Sequence, residues 1–128
     1  MFIVIDTNVL VSALWSKNIN SARLLYLVFE GTLKPCYDYR ILEEYQEVLK
    51  RPKFKFSDSD IQNLLEGIKI MGMSVVAEPM STLFEDEEDK KFYEVAKFCN
   101  AKLITGNLKH FPKENCILSV SEFLESLN

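Results

Sequence analysis

The chain lacks most of the features that would take it out of the ordinary globular class. Its four glycines and four prolines are scattered, so no glycine-, proline- or serine-rich linker, low-complexity stretch or internal repeat divides it. The three cysteines, Cys36, Cys99 and Cys116, are odd in number and lack metal-ligand spacing, and they read as buried reduced thiols. No apolar run reaches the length of a transmembrane helix, and no basic region precedes the one at the N-terminus. With Asp6 so early, a cleaved signal peptide is not expected, and a cytoplasmic protein is. Positive charge is also short: 15 Lys and Arg against 19 Asp and Glu leave a net charge of −4. The sequence pI of about 5.1 does not advertise a nucleic-acid surface, so any such binding has to come from a local basic patch or through a metal.

What is present fits one domain over residues 1–128, 48% hydrophobic and 27% charged. A chain of this size buries roughly two thirds of its unfolded surface. Phe2-Ile3-Val4-Ile5 reads as a short central parallel strand, and Asp6 stands at its carboxyl end. Open α/β sheets place their ligands at that edge. Thr7 or Asn8 is expected to cap a short helix running to Leu14 and Trp15, although Asp6 could itself be the cap.

A helix is expected from Ser21 to Phe29, with Gly31 closing it, then a strand over Lys34–Tyr37. Asp38 should cap a helix with Ile41, Leu42, Tyr45, Val48 and Leu49 at helical spacing, stopped by Pro52. After the basic loop Lys50–Lys55, Ser57 and Asp60 resemble a capping box for a helix carrying Ile61, Leu64, Leu65, Ile68 and Met71 to Gly72. Strands are expected at Ser74–Ala77, Lys102–Thr105 and Cys116–Leu118. The acidic loop Glu85–Asp89 should open a helix with Phe92, Val95, Ala96 and Phe98 as its apolar positions, and Ser121–Leu127 should form a terminal helix. Strands alternating with helices imply right-handed crossovers and a parallel sheet covered on both faces.

Four places can meet at one edge of such a sheet. Asp6 follows the first strand and Thr105-Gly106-Asn107 the fourth, while Glu44 and Asp89 lie in early turns of intervening helices. Converging carboxylates repel unless a cation sits between them, and hard oxygen donors point to magnesium or manganese. Such an ion activates water and neutralises charge on a phosphate, the basis of metal-dependent nucleases. Each element has a plainer reading: Glu44 as a solvated helix charge, the run Asp86 to Asp89 as a response to the helix dipole, and Asn107 as a turn residue. Their joint placement favours a site.

IVIDTN, ILEEYQEVLKRPKF and EDEEDKKFYEVAKFCNAKLITGNLKHFP together resemble the PIN-domain family. The resemblance covers nearly the whole chain and is strongest to toxins of toxin–antitoxin systems related to VapC-type ribonucleases. It implies a three-layer α/β/α sandwich around a Rossmann-like parallel sheet, a Mg2+- or Mn2+-dependent endoribonuclease acting on single-stranded RNA, and neutralisation by a cognate antitoxin. A homodimer is left open. Residue by residue, Asp6, Glu44 and Asp89 match the family's first three acidic positions, with Asp6 and Asp89 as principal metal ligands and Glu44 close by. The fourth, often Asp in a TGD motif, is Asn107 here. That departure removes a charge, and Asn107 keeps a carbonyl oxygen that can meet a metal or orient a water. Thr7 or Asn8 would support Asp6.

Other residues are read more plainly. His110, the sole histidine, sits beside Phe111-Pro112 and reads as structural rather than as ligand or base. Lys50, Arg51, Lys53 and Lys55 read as a solvated loop, with contacts to RNA phosphates the alternative. Trp15 reads as core, with an apolar groove for a partner helix, shared with Tyr26 and Phe29, as the alternative. A haloacid-dehalogenase-type phosphatase would need an aspartate at Asn8, and a receiver domain an acidic pair at the first strand end. The rival from another class is a catalytically weak PIN domain that binds or regulates, and Asn107 is what sustains it.

Overall fold

A computed structural model describes residues 1–15 and 18–128. Five parallel strands form the sheet: β1 (Phe2–Ile5), β2 (Lys34–Tyr37), β3 (Met73–Ser74), β4 (Lys102–Ile104) and β5 (Ile117–Leu118). Six α-helices lie among the described residues: α1 (Thr7–Leu14), α2 (Ile19–Phe29), α3 (Tyr39–Leu49), α4 (Asp58–Met71), α5 (Glu87–Cys99) and α6 (Val120–Ser126). Short 3₁₀ turns cover Pro52–Phe54 and Leu108–His110. The result is the expected α/β three-layer sandwich.

In β1, Ile3, Val4 and Ile5 are all fully buried in succession. Successive strand residues point to opposite faces, so both faces of the central strand are covered. The strand order is β3-β2-β1-β4-β5. The chain builds outward from β1 on one side and then returns to β4 on the other, which makes the β1/β4 carboxyl ends the topological switch point. Register there is set by Ile3 opposite Lys102, Val4 opposite Leu103 and Ile5 opposite Ile104.

Most expected elements appear with boundaries moved by a residue or two. The strand expected over Ser74–Ala77 is the exception: β3 is only Met73–Ser74, and Val76 is 86% exposed. Its sole neighbour, β2, ends at Tyr37, so after Val75 N–H donates to the Tyr37 carbonyl there is nothing left to pair with. Trp15 is not core but 49% exposed, and Phe98 is exposed as well. Cys36 is buried, whereas Cys99 and Cys116 are only half-buried; all three are free thiols. Burial and the adjacent Cys99 push the Cys36 thiol up to about 12.

An ion-pair network holds the layers together. Arg40 spans Asp38 (2.6 Å) and Glu94 (2.8 Å), both nearly buried, and the second Glu94 oxygen accepts from the Met80 backbone N–H at 2.7 Å. Asp38 also caps α3 through the Ile41 N–H. One guanidinium thus links α3, α5 and the long segment between β3 and α5.

Candidate active site

At the end of β1 the backbone passes directly into α1, with Asp6 in the N-cap position but its side chain making no capping bond. A carboxylate here would ordinarily accept from the first turn of the helix. Instead Asp6 turns toward β4 and accepts a hydrogen bond from the Thr105 hydroxyl at 2.7 Å, while its own N–H donates to the Ile104 carbonyl at 2.9 Å. The residues expected to cap α1 are also used elsewhere. The Thr7 hydroxyl donates to Glu44, and the Asn8 side-chain oxygen accepts from the Gly106 N–H at 3.1 Å.

Asp6 is 6% exposed and has no cationic partner among the described ion pairs. Burial raises its pKa to about 6 against the opposing Thr105 hydrogen bond, and the charges of Asp89 and Glu44 raise it further. Asp89 is raised as well, first by desolvation and then by Asp86, with His110 pulling the other way. Each carboxylate therefore lies within electrostatic reach of the others.

Glu44 is placed by its neighbour. Tyr45, fully buried, donates its hydroxyl to the Ile5 carbonyl, fastening α3 to the end of β1 one residue before Asp6. Glu44 then faces Thr7 on one oxygen and Lys91 Nζ, 2.7 Å away, on the other. Lys91 is itself only 7% exposed and also meets the Glu88 carbonyl and carboxylate. Asp89 pairs with His110, Nδ1 to Oδ2 3.1 Å. Asn107 is exposed, and its N–H donates to the Thr105 hydroxyl at 2.9 Å. Thr105 thus ties Asp6 to Asn107.

The four expected positions share one sheet edge, yet they do not form a single coordination cage. Among the described residues no three His, Cys, Asp or Glu side chains are close enough to hold one ion. The carboxylates are each engaged separately, Asp6 with Thr105, Glu44 with Lys91, Asp89 with His110. A cleft of about 580 Å³ opens beside Glu44, lined also by Arg40, Glu43, Glu47, Glu88 and Lys91, while Asp89 and His110 line a hollow of about 40 Å³. In donor chemistry the set fits a hard divalent cation: buried Asp6 has no cationic partner among the described ion pairs, and half-buried Asp89, whose charge raises the Asp6 pKa, adds further oxygen donors.

Two contributors escaped sequence reasoning. His110 sits in the site against Asp89, three residues after Asn107 in a 3₁₀ turn that folds it back. Lys91 carried a signal that could have been used, because it shares an α5 face with buried Val95 one turn on. A nearly buried lysine on an apolar stripe needs an acid within reach, and half-buried Glu44 is that acid.

A sequence model of the PIN domain matches residues 2–109. The chain belongs to the PIN-domain family. An uncharacterized protein of Methanocaldococcus jannaschii is 32% identical to it over 108 residues, covering 82% of this chain and 70% of that relative. PIN domains are generally nucleases that use divalent metals, and in this PIN domain Asp6 directly follows β1 and Thr105 directly follows β4 at the switch point.

Proposed function

We propose that this PIN domain is a metal-dependent endoribonuclease that hydrolyses single-stranded RNA. The observation that carries the reading is Asp6: a buried carboxylate at the switch point, raised to about 6, without a cation, and facing the charges of Asp89 and Glu44. Such an arrangement costs stability unless a positive charge or a proton neutralises it. Asp6 and Asp89 would hold Mg2+ or Mn2+, with Glu44 close by through water. When bound, the ion supplies an activated water and neutralises charge developing on the phosphate.

The chain's own groups set the geometry. Thr105 orients Asp6, His110 orients Asp89, and Thr7 with Lys91 hold Glu44 in place. The backbone of Asn107 is tied to Thr105, which leaves its side chain free to orient a water. No protein nucleophile is needed. The same reading makes the chain the toxin of a toxin–antitoxin pair, inhibited by a small antitoxin protein, and a small DNA-binding protein encoded beside it would support that role.

The substitution at Asn107 favours one rival, a catalytically weak PIN domain that serves for binding or regulation. One gel separates the two. Purified protein with manganese should cleave a generic single-stranded RNA, and EDTA or Asp6→Ala should abolish cleavage. An inert wild type that gains activity as Asn107→Asp would favour the rival. Cleavage that survives both EDTA and Asp6→Ala would place the active site elsewhere.

A further inference from the structure

The protein is acidic overall, yet four of its cations fall within six residues, Lys50, Arg51, Lys53 and Lys55. All four are exposed. Beside them lie two phenylalanines, half-buried against the edge of the core, that back an exposed tryptophan. Phe54 and Phe56 stack on one another (centroids 5.5 Å, planes 12° apart), and Trp15, from the end of α1, stands nearly perpendicular to both at 5.1 and 6.2 Å. Lys53 Nζ lies 5.1 Å from the Phe54 ring centroid. Lys55 between the two phenylalanines has left-handed backbone (φ 57°), which a lysine adopts only when its surroundings impose it.

The carboxylates beside the patch are partly committed: Glu47 pairs with Arg51, and Asp58 and Asp60 lie in the first turn of α4, where the helix dipole favours them. Lys50, Lys53 and Lys55 have no acid among the described ion pairs. A half-exposed tryptophan backed by two stacked rings and bordered by lysines combines the two things a single-stranded nucleic acid needs. It offers a π surface for a base and cations for the flanking phosphates. A helical protein partner would not require the cations.

We infer that Trp15, Phe54 and Phe56, with Lys50, Lys53 and Lys55, form a stacking platform that holds a single strand of RNA apart from the carboxylates. The platform stands at the far end of α1 from Asp6, about 12 Å along an eight-residue helix. A strand must therefore span several nucleotides to occupy both places. The identity of that strand as the substrate rests on the ribonuclease reading; the binding does not.

Trp15 is the only tryptophan, so its emission reports this place alone. Titrating oligouridylate in EDTA should quench it, with an affinity that falls as salt rises, and Asp6→Asn should quench equally. Binding measured by anisotropy of labelled oligouridylate should weaken roughly tenfold in the double variant Lys53→Gln/Lys55→Asn, with the salt slope lower by about 0.7 for each lost phosphate contact. That variant alters exposed side chains only, and asparagine tolerates the left-handed backbone at position 55. Trp15→Leu should weaken binding to a similar degree. Unchanged Trp15 emission while the labelled RNA binds would overturn the platform, as would wild-type affinity in the double variant. An emission insensitive to RNA altogether would also overturn it. Because every binding reading is taken in EDTA, it does not depend on cleavage: a protein that binds here yet leaves the RNA intact when manganese is supplied refutes the ribonuclease proposal and leaves this one standing.

Discussion

Asp6 shows how one side chain couples stability to chemistry. Its folded pKa, about 6, lies above the ordinary aspartate value of 3.8. A carboxyl group raised in this way favours the folded state while protonated, and that contribution is lost as pH rises through about 4 to 6. At pH 7 the ionised form therefore strains the metal-free fold by on the order of 3 kcal/mol at most. Asp6→Asn should raise the metal-free melting temperature at pH 7, and the gain should shrink toward pH 4. Thermal scans across that window decide it, and a gain independent of pH would mean that the Asp6 charge is not the cause. Lys91 is the complementary case. Lys91→Met leaves Glu44 half-buried with Thr7 as its remaining partner, and a loss of roughly 2–4 kcal/mol in urea unfolding is expected.

Among the elements, α3 and α5 carry the site because their side chains are tied across layers. Arg40, at the second position of α3, joins Asp38 to Glu94 of α5, and Glu94 in turn holds the Met80 backbone. Arg40→Met leaves two nearly buried carboxylates unpaired, so a destabilisation of roughly 3 kcal/mol is expected from denaturant midpoints, together with faster proteolysis near Met80. A midpoint within error of wild type would show the network to be ornamental. The C-terminus of α5 rests on Asn100 in left-handed conformation (φ 52°). Asn100→Gly should therefore be neutral or slightly stabilising, and Asn100→Val should cost about 1–2 kcal/mol in the same assay.

For the molecule as a whole, the proposed metal site predicts that a divalent cation relieves the carboxylate repulsion and stabilises the fold. Manganese or magnesium in excess should raise the melting temperature, by about 2.7 kcal/mol of stability at one hundred times the dissociation constant. Asp6→Asn should blunt that response. An equal response in the variant would locate the ion away from Asp6. The chain as described offers no helix long and apolar enough to cross a membrane. Its net charge of −4 means that the global field does not attract nucleic acid, so the RNA binding proposed here has to come from a local patch.

Much of the architecture was legible in the residue order, because the signals are local. The apolar run Phe2–Ile5, the caps at Asp38 and Ser57 and the helical spacing of Ile41, Tyr45 and Leu49 each act over a few residues. So does the placing of Asp6 directly after β1 and of Thr105-Gly106-Asn107 after β4. The misreadings have a different origin. The short β3 depends on where β2 ends, and the exposure of Trp15 depends on Phe54 and Phe56, about forty residues away. His110 joins Asp89, and Lys91 joins Glu44, only because the sheet order brings α3, α5 and the β4 edge together. Periodicity and capping are written along the chain and can be read from it. Pairing between distant side chains, and the burial that shifts a carboxylate, arise only once the layers have packed.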